Sequence, residues 1–369
     1  MRPGTEEELS AIVVGAEGPL RIVGGGTRPV GRPVAGDILE VSGFAGIRLH
    51  EPGALTLVAG AGTPLAEVEA ALAAEGQRLA FEPADWRGLL GTRGEPTLGG
   101  MVAANVSGPR RVQAGACRDA LLGVRFVDGT GAVVKNGGRV MKNVTGYDLV
   151  KLMAGSWGTL GILTEVSLKV LPAPESVAVL VLGGLDDRAA LAAMTAALGS
   201  PYDVTGAAHG AMGTLIRIEG FAQSVAYRSE RLAALLARFG AVRVEAVAEP
   251  CRALWHGIRD VEAFRAATGD VWRLSVRPSE APGLVARAGA RQALYDWGGG
   301  LVWLLMPEGE DLRARLGAFA GHATLIRASD EVRRRIAPFQ PETAALAAIS
   351  AGLRARFDPK GILNPGLMG

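Results

Sequence analysis

Three glycine-rich segments, far apart in the sequence, most constrain what this chain can fold into. They are Arg21-Ile-Val-Gly-Gly-Gly-Thr27, Pro96-Thr-Leu-Gly-Gly-Met-Val-Ala-Ala-Asn105 and Gly155-Ser-Trp-Gly-Thr-Leu-Gly-Ile-Leu-Thr164. Glycine lets the backbone approach an anion closely and takes a positive φ without strain. Several such segments in one half of a chain predict one large, phosphate-bearing ligand, bound along a surface of backbone amides.

Length, charge and cysteine content exclude several other classes of protein. With 369 residues the chain is long for one core and suits two domains. A net charge of only +2 gives no basic face for nucleic acid. The short basic runs Arg110-Arg111 and Arg333-Arg-Arg335 predict solvated surface positions. Cys117 and Cys251 are solitary, which fits a reducing compartment and neither a disulfide framework nor a metal site.

The termini and the apolar runs bear on location. The N-terminal segment is acidic and has no apolar core, so no signal peptide is predicted. The longest apolar runs, near Val177–Leu182 and Leu301–Met306, are too short to span a bilayer. We therefore expect a cytoplasmic protein without a transmembrane segment, which partners can hold peripherally at the inner membrane.

The first part of the chain mixes short strands with helices. A capping pattern at Thr5-Glu-Glu-Glu8 predicts a helix to about residue 16, and Thr63 to Leu72 predicts another. Further predicted elements are a hairpin of 121–127 with 132–135, a helix at 147–154, and strands at 20–23, 38–41, 55–59 and 162–171. Pro172-Ala-Pro174 then marks a boundary.

The second part predicts an α+β domain with an antiparallel sheet. Its predicted strands are 177–182, 215–219, 271–276 and 301–305, and its predicted helices are 188–197, 225–239 and 342–357. The resulting division is a first domain at 1–171, a second at 172–356, and a Pro- and Gly-rich tail at 357–369.

Two catalytic or cofactor motifs are nearly matched but lack the required surroundings. Gly24-x-Gly26 follows a strand, yet Pro29 and Pro33 prevent the long helix that a dinucleotide-binding fingerprint opens. Ala154-x-Ser156-x-Gly158 would need a strand before it and a helix after it to be a nucleophile elbow, and the predicted order is the reverse. No metal site is predicted, because no histidine lies near another or near a Cys or carboxylate cluster. The histidines are His50, His209, His256 and His322.

The glycine-rich segments resemble the FAD domain of the vanillyl-alcohol oxidase/p-cresol methylhydroxylase (PCMH-type) flavoproteins. The residues that carry the resemblance are 96–105, Gly115-Ala-Cys-Arg-Asp-Ala-Leu-Leu-Gly123 and 146–164. The tail Phe357-Asp-Pro-Lys-Gly-Ile-Leu-Asn-Pro-Gly366 is similar to that of the 2-hydroxy-acid branch. Segments 255–259, 271–278 and 296–303 resemble the FAD-binding subunits of bacterial glycolate oxidases. The resemblance implies an α+β fold, with a two-subdomain FAD-binding domain followed by an α+β cap domain.

The resemblance also implies which residues hold FAD. Matches to the first phosphate loop are Gly24, Gly25, Gly26 and Thr27. Matches to the second are Thr97, Gly99, Gly100, Ala103 and Asn105. Gly115 and Asp119 match the segment around the ribityl and adenosine portions. Gly161 and Ile162 match the strand start whose amide faces the flavin pyrimidine, where a donor stabilises the reduced ring. Asn364 matches the tail that returns to the flavin.

Two absences shape the functional expectation. The stretch from Gly24 to Gly31 lacks the histidine that links flavin covalently in some members, so noncovalent FAD is expected. The chain also lacks the segment His-x-Gly-Asp-Gly-Asn-x-His of the related catalytic subunits, so we expect it to need a sister FAD-containing catalytic subunit to oxidise glycolate to glyoxylate. Electrons would leave through an iron–sulfur subunit, since two cysteines cannot hold a cluster.

Catalytic residues are not identified, and two alternatives stay open. Alternation along residues 272–277 puts Arg273, Ser275 and Arg277 on one face of a strand, where two arginines could clamp the carboxylate of a small 2-hydroxy acid. A solvated outer face or a subunit contact is the favoured interpretation of that face. The alternatives are a self-sufficient FAD-dependent oxidoreductase of another 2-hydroxy acid or alcohol, and a non-catalytic subunit that holds flavin structurally.

Overall fold

A computed structural model describes residues 1–139 and 146–369 and contains two sheet-based units. The strands of the first unit are β1 (Leu20–Val23), β2 (Asp37–Glu40), β3 (Ile47–Glu51), β4 (Thr56–Gly60), β5 (Gln77–Leu79), β6 (Leu121–Val127), β7 (Val133–Gly137) and β8 (Ile162–Pro172). β1 pairs in parallel with β2, whereas the others form an antiparallel sheet in the order β3-β4-β8-β6-β7, with β5 added on β8. The predicted hairpin is confirmed as β6 and β7.

The first unit also contains short helices. They are α1 (Glu6–Gly15), α2 (Leu65–Ala74), α3 (Arg87–Leu90), α4 (Leu98–Ala103), α5 (Arg111–Ala114), α6 (Cys117–Ala120) and α7 (Leu149–Met153). Of these, α1, α4 and α7 begin at a side chain that caps a free amide. The Thr5 hydroxyl accepts from the Glu8 amide at the start of α1, as the capping pattern predicts. The second glycine-rich segment contains a helix, α4, that the sequence analysis did not predict.

The second unit is built on one antiparallel sheet, in agreement with the prediction. Its strands are β9 (Ser176–Leu182), β10 (Val204–Gly210), β11 (Gly213–Gly220), β12 (Val242–Glu245), β13 (Asp270–Val276), β14 (Gln292–Asp296), β15 (Leu301–Met306) and β16 (Gly321–Arg327). Their order is β12-β9-β11-β10-β14-β15-β13-β16. The helices of this part are α8 (Asp187–Leu198), α9 (Ala222–Leu236), α10 (Ala248–Arg259), α11 (Ala281–Ala288), α12 (Leu312–Leu316), α13 (Asp330–Arg335) and α14 (Ala344–Phe357).

The two faces of this sheet have different neighbours. Trp272, Leu274 and Leu304 point to one face and pack into a core with residues of helices α8, α9 and α11. Val271 and Trp303 point to the other face, where the core includes residues of the first unit. The second face is therefore the one that packs on the first unit.

The units are joined by apolar contacts and by the tail. Trp86 of the first unit meets Trp303 of the second edge to face, with ring centroids 5.5 Å apart. The tail returns to the first unit, where the Leu20 amide donates to the Ile362 carbonyl (2.7 Å) and the Asn364 amide donates to the Leu20 carbonyl (3.0 Å). β8 ends at Pro172 and β9 begins at Ser176; the three-part domain division stays a prediction.

Candidate FAD-binding site

A cavity of about 420 Å³ brings together the three glycine-rich segments and the tail. Most of the residues predicted to hold FAD line it: Gly24, Gly25, Gly26, Thr27, Thr97, Gly99, Gly100, Ala103, Gly161, Ile162 and Asn364. These residues come from a strand end, a helix, another strand start and the tail. The fold therefore collects in one place the segments that the sequence separates by more than 300 positions.

The first loop, residues 24–27, leaves β1 and offers unused backbone donors. In the part of the chain that the structure describes, the amides of Gly24, Gly25, Gly26 and Thr27 donate to no protein acceptor. Gly26 has φ of 66°, and the Thr27 side chain is buried. Unused amides at a strand end that line a cavity form a concave site for an anion. The residues present therefore fit the pyrophosphate of a dinucleotide.

The shape of this loop depends on contact between two backbones. A Cβ on Gly25 would lie 1.5 Å from the Glu95 carbonyl oxygen, and one on Gly94 would lie 1.7 Å from the Gly25 oxygen. A Cβ on Gly24 would lie 2.4 Å from Oγ1 of Thr97. Glycine is needed at these positions because any side chain would push the two segments apart.

The second loop is the start of a helix. The Thr97 hydroxyl caps α4 by accepting from the Gly100 amide (3.2 Å), and the Gly99 amide donates to the Ala61 carbonyl at the end of β4 (2.7 Å). A Cβ on Gly99 would lie 2.6 Å from the Cβ of Ala61. Gly99, Gly100 and Ala103 line the cavity from this helix, so α4 contacts the end of β4 and also forms part of the cavity wall.

Asn364 fixes the tail at the cavity wall. Its Oδ1 accepts from the Ile22 amide (2.8 Å), and its Nδ2 donates to the Trp157 carbonyl (2.9 Å). The side chain is buried and its φ is 43°, in the left-handed region that asparagine tolerates. Asn364 thus ties β1, the Gly155–Gly158 turn and the tail together, while its predicted contact with the flavin stays a prediction.

Three of the residues predicted to hold FAD do not line the cavity: Asn105, Gly115 and Asp119. Asn105 has φ of 48° and accepts from the Arg118 amide through Oδ1 (3.1 Å). Asp119 accepts from the Ala116 amide through Oδ2 (2.8 Å), next to Gly115 with φ of 81°. These contacts shape the turn between α5 and α6, and the predicted role of this segment near the ribityl and adenosine portions stays a prediction.

Arg333 belongs to the cavity, so the predicted solvated position of the run 333–335 is wrong for this residue. Its side chain is 12% exposed and donates to the carbonyls of Pro29 and Gly31 in the first unit. Arg334, by contrast, is 66% exposed. The difference arises because α13 turns only one side toward the first unit, which a run of three arginines does not reveal.

The predicted solvated position is also wrong for Arg110. It is 2% exposed and donates to both carboxylate oxygens of Glu219. Beside it, Arg217 donates to Glu82 from Nη1 (2.7 Å) and Nη2 (2.9 Å). Burial acts to raise the pKa of Glu82, but Arg217 and Arg110 outweigh it and hold the pKa below its usual value. Because Glu82 and Arg110 belong to the first unit, this ion cluster joins the two units.

Arg273 and Arg277 have different surroundings. The alternation of β13 is confirmed, since Trp272 and Leu274 lie in the helix-covered core. Arg273 points to the other face, with its Cζ 5.9 Å from the Trp303 ring centroid, so a solvated face is wrong for it. The other half of the favoured interpretation, a subunit contact, stays a prediction. Arg277 follows the end of the strand and is 72% exposed beside Glu280, 3.5 Å away.

Two further expectations concern catalysis and metals. The order helix, turn, strand around Ser156 is confirmed, since α7 ends at Met153 and β8 begins at Ile162. Among residues 1–139 and 146–369 no group of three His, Cys, Asp or Glu side chains is placed to hold a metal ion. In the same residues no helix combines the length and the hydropathy needed to cross a membrane.

Comparison with known proteins defines the class to which this fold and cavity belong. Residues 1–137 match the model of a FAD binding domain family. The solved structure of an alkyldihydroxyacetonephosphate synthase has the same fold, with a TM-score of 0.71 over 99% of this chain and 76% of that chain at 16% identity. Together with the amide-lined cavity, the domain match identifies a FAD-binding flavoprotein with a PCMH-type domain and an α+β second unit.

Sequence comparison narrows this class to one family. Glycolate oxidase subunit GlcE of Escherichia coli (strain K12) is 36% identical over 353 residues, which are 95% of this chain and 92% of that protein. Glycolate oxidase subunit GlcD of Bacillus subtilis (strain 168) is 42% identical over 80 residues, 22% of this chain and 17% of that protein. The chain belongs to the family of the glycolate oxidase subunit GlcE.

Proposed function

We propose that this chain is the FAD-holding subunit of a glycolate oxidase complex that converts glycolate to glyoxylate. The observation that carries the proposal is the set of unused amides at Gly24–Thr27, which face a cavity closed by the other glycine-rich segments and the tail. FAD, when bound, supplies an acceptor for the hydride that leaves the alcohol carbon of a 2-hydroxy acid. This chain contributes the amide donors for the cofactor phosphates and the walls of the cavity around them.

The cofactor is held without a covalent bond in this proposal. The residues between Gly24 and Gly31 include no histidine, and the loop binds through backbone amides. Precipitating the purified chain with acid should therefore release all of the flavin into the supernatant. Flavin that stays with the precipitated, unfolded chain would contradict this.

The complex in this proposal contains a sister FAD-containing catalytic subunit and an iron–sulfur subunit. Support comes from the sequence, which lacks the histidine-rich catalytic segment and has only two cysteines, and from the names of the two relatives. Helix α14 is a candidate contact surface. None of its residues is buried, although most are alanine, leucine or isoleucine, and an apolar helix normally packs against a partner. Peripheral attachment to a membrane would come through these partners.

The test is the visible absorbance spectrum of the purified chain, repeated without oxygen after glycolate is added. We expect flavin bands that glycolate leaves unchanged until the sister subunits are added, when the bands bleach. Bleaching of the isolated chain would favour the self-sufficient oxidoreductase. A complex that stays active after the flavin site of this chain is disabled, by substitution in the 24–27 loop, would favour the non-catalytic, flavin-holding subunit.

A further inference from the structure

Two arginines converge on one tryptophan where the units meet. Arg111 belongs to α5 of the first unit and Arg273 to β13 of the second. The guanidinium carbon of Arg111 lies 4.4 Å from the ring centroid of Trp297, and that of Arg273 lies 5.0 Å from the same centroid. Both distances suit cation–π contact. Residues 162 positions apart in the sequence therefore place two positive charges around one indole ring.

Trp297 is held firmly between the units. Its indole Nε1–H donates to the Gly108 carbonyl of the first unit (3.0 Å), and its amide donates to Oδ1 of Asp296 (2.7 Å). Its φ is 53°, in a region that a bulky residue occupies only when its surroundings enforce it. Such backbone strain concentrates at ligand sites. The ring is thus a fixed platform for the two guanidinium groups.

The two positive charges have no anionic partner. Within residues 1–139 and 146–369, neither the Arg111 nor the Arg273 side chain forms an ion pair or a hydrogen bond, although both are half-buried. The buried Arg110 and Arg217, by contrast, are each paired with a glutamate. Burial and the charge of Arg111 lower the pKa of Arg273 to about 10. Two like charges out of full contact with water cost free energy, which a bound anion would offset.

Two carboxylates lie near the arginines, but within the described residues neither forms an ion pair with them. The charge of Asp119 acts on Arg111, while Asp119 itself lies 3.7 Å from Arg118. Asp296 is the carboxyl whose charge acts on Arg273, yet the two form no ion pair. Burial raises the pKa of Asp296 to about 7, so near neutral pH it carries only part of its negative charge. The two arginines therefore keep a net positive charge that is available to a ligand.

Polar side chains next to the arginines can form hydrogen bonds with the hydroxyl group of a bound ligand. Ser275 and Thr324 lie on the same face of the sheet as Arg273, because Arg273 pairs with Thr324 and side chains two apart on a strand share a face. His322 pairs with Ser275 at the rim of this face, where part of its side chain meets solvent and the rest is packed against the protein. Burial and the charges of Arg273 and Arg111 lower the pKa of His322. Its ring is therefore neutral near pH 7 and can accept a hydrogen bond from an alcohol.

We infer that Arg111 and Arg273 form a binding site for a carboxylate, that of a small 2-hydroxy acid or of its 2-oxo product. Planar guanidinium groups match the two oxygens of a carboxylate, and Trp297 holds both groups within 5.0 Å of one ring centroid. The choice of a 2-hydroxy acid rests on the proposed function, whereas the carboxylate site itself rests on the unpaired arginines. The second arginine of this site is therefore Arg111, and not Arg277 as the alternation of the strand predicts.

The experiment measures oxalate binding to the full flavin-loaded chain, by calorimetry and by tryptophan fluorescence. Oxalate is a suitable probe because it carries carboxylates but no C–H bond to oxidise. We expect Arg111→Gln and Arg273→Gln each to weaken binding about 10- to 100-fold, as the loss of a charge-assisted hydrogen bond does. The matched control is Arg277→Gln, which removes an exposed arginine at the end of the same strand and should leave the affinity unchanged.

Other outcomes overturn the inference. These are the absence of oxalate and glycolate binding to the unsubstituted chain, affinities unchanged in both site variants, or sulfate binding as tightly as oxalate at the same arginines. Loss of flavin from the site variants with oxalate affinity intact would assign the arginines to the cofactor instead.

A stability measurement separates binding from folding. Oxalate should raise the thermal midpoint of the unsubstituted chain and of Arg277→Gln, but not that of the two site variants. The site variants alone should melt no earlier than the unsubstituted chain, because they lose an unpaired, half-buried charge. Early melting of both would show that the arginines serve folding and would overturn the inference. A chain that fails to oxidise glycolate with its partners, yet binds oxalate through these arginines, would refute only the proposed function.

Discussion

Replacing Gly25 with alanine should remove FAD while leaving the rest of the fold in place. The new Cβ would lie 1.5 Å from the Glu95 carbonyl oxygen, whereas real Cβ atoms essentially never come closer than 3.0 Å. The two backbones must therefore separate by about 1.5 Å or more, at a cost of about 1–3 kcal/mol for forced overpacking. That shift is large enough to break hydrogen bonds from the loop amides to a phosphate.

The loss of FAD affinity follows from those hydrogen bonds. Each bond to a charged group contributes about 1.5–3 kcal/mol, so losing two of them weakens FAD binding by about 100-fold or more. The assay is the ratio of flavin absorbance to protein absorbance after dialysis, followed by titration of the stripped chain with FAD. Gly53→Ala is the control, because a Cβ at Gly53 meets nothing within 4 Å. If Gly25→Ala bound FAD as tightly as the control, the loop amides would not be the phosphate site.

Three further predictions concern stability and assembly. Glu219→Gln breaks a buried ion pair with Arg110 and should lower the free energy of unfolding, measured with denaturant, by about 3–5 kcal/mol. Glu249→Gln breaks an exposed pair with Arg252 and should change the free energy of unfolding by less than about 0.5 kcal/mol. Equal effects of the two substitutions would contradict the argument. Burial acts to raise the pKa of Glu219, but the arginines outweigh it and lower the pKa, so its contribution is complete above the unfolded value of about 4.3 and is lost as the pH falls further. The stability advantage of the unsubstituted chain over Glu219→Gln should thus be constant above about pH 5 and shrink progressively as the pH falls below about 4. An advantage that grows as the pH falls through this range would refute this sign. Leu346→Asp together with Ile349→Asp on α14 should abolish co-purification of the partner subunits without lowering the melting temperature, and normal assembly would refute the contact surface.

The sequence predicts well those elements whose local pattern matches their final surroundings. α1 starts at a capping motif, α2 follows a proline, and β9 and β15 are continuous apolar runs. The sequence does not predict β10, because Gly206 and His209 interrupt any strand pattern there. These residues are in a strand since β10 pairs with β11 and β14. Tertiary context overrides weak local propensity in such cases.

The candidate site was predictable where it depends on glycine and not where it depends on charge. The segments 24–27 and 97–103 can be recognised in the sequence by their glycines, because close backbone contact requires glycine. Arg110 and Arg333 look like ordinary surface charges in the sequence, since Glu219 lies 109 positions from Arg110 and the partners of Arg333 are carbonyls. Nor does the sequence reveal that Arg111 lies over the Trp297 ring. Composition cannot reveal whether an arginine is paired, stacked or solvated.

The walls of the candidate FAD cavity come from both units and from the tail. The matched FAD domain covers residues 1–137, yet Gly161, Arg333 and Asn364 also line the cavity. Arg333 reaches the first loop from α13 of the second unit, and the Trp86–Trp303 contact and the ion pairs of Arg110 and Arg217 join the same two units. Arg110 and Arg333, which the sequence presents as surface positions, therefore both bind the other unit, and Arg333 does so at the wall of the cavity.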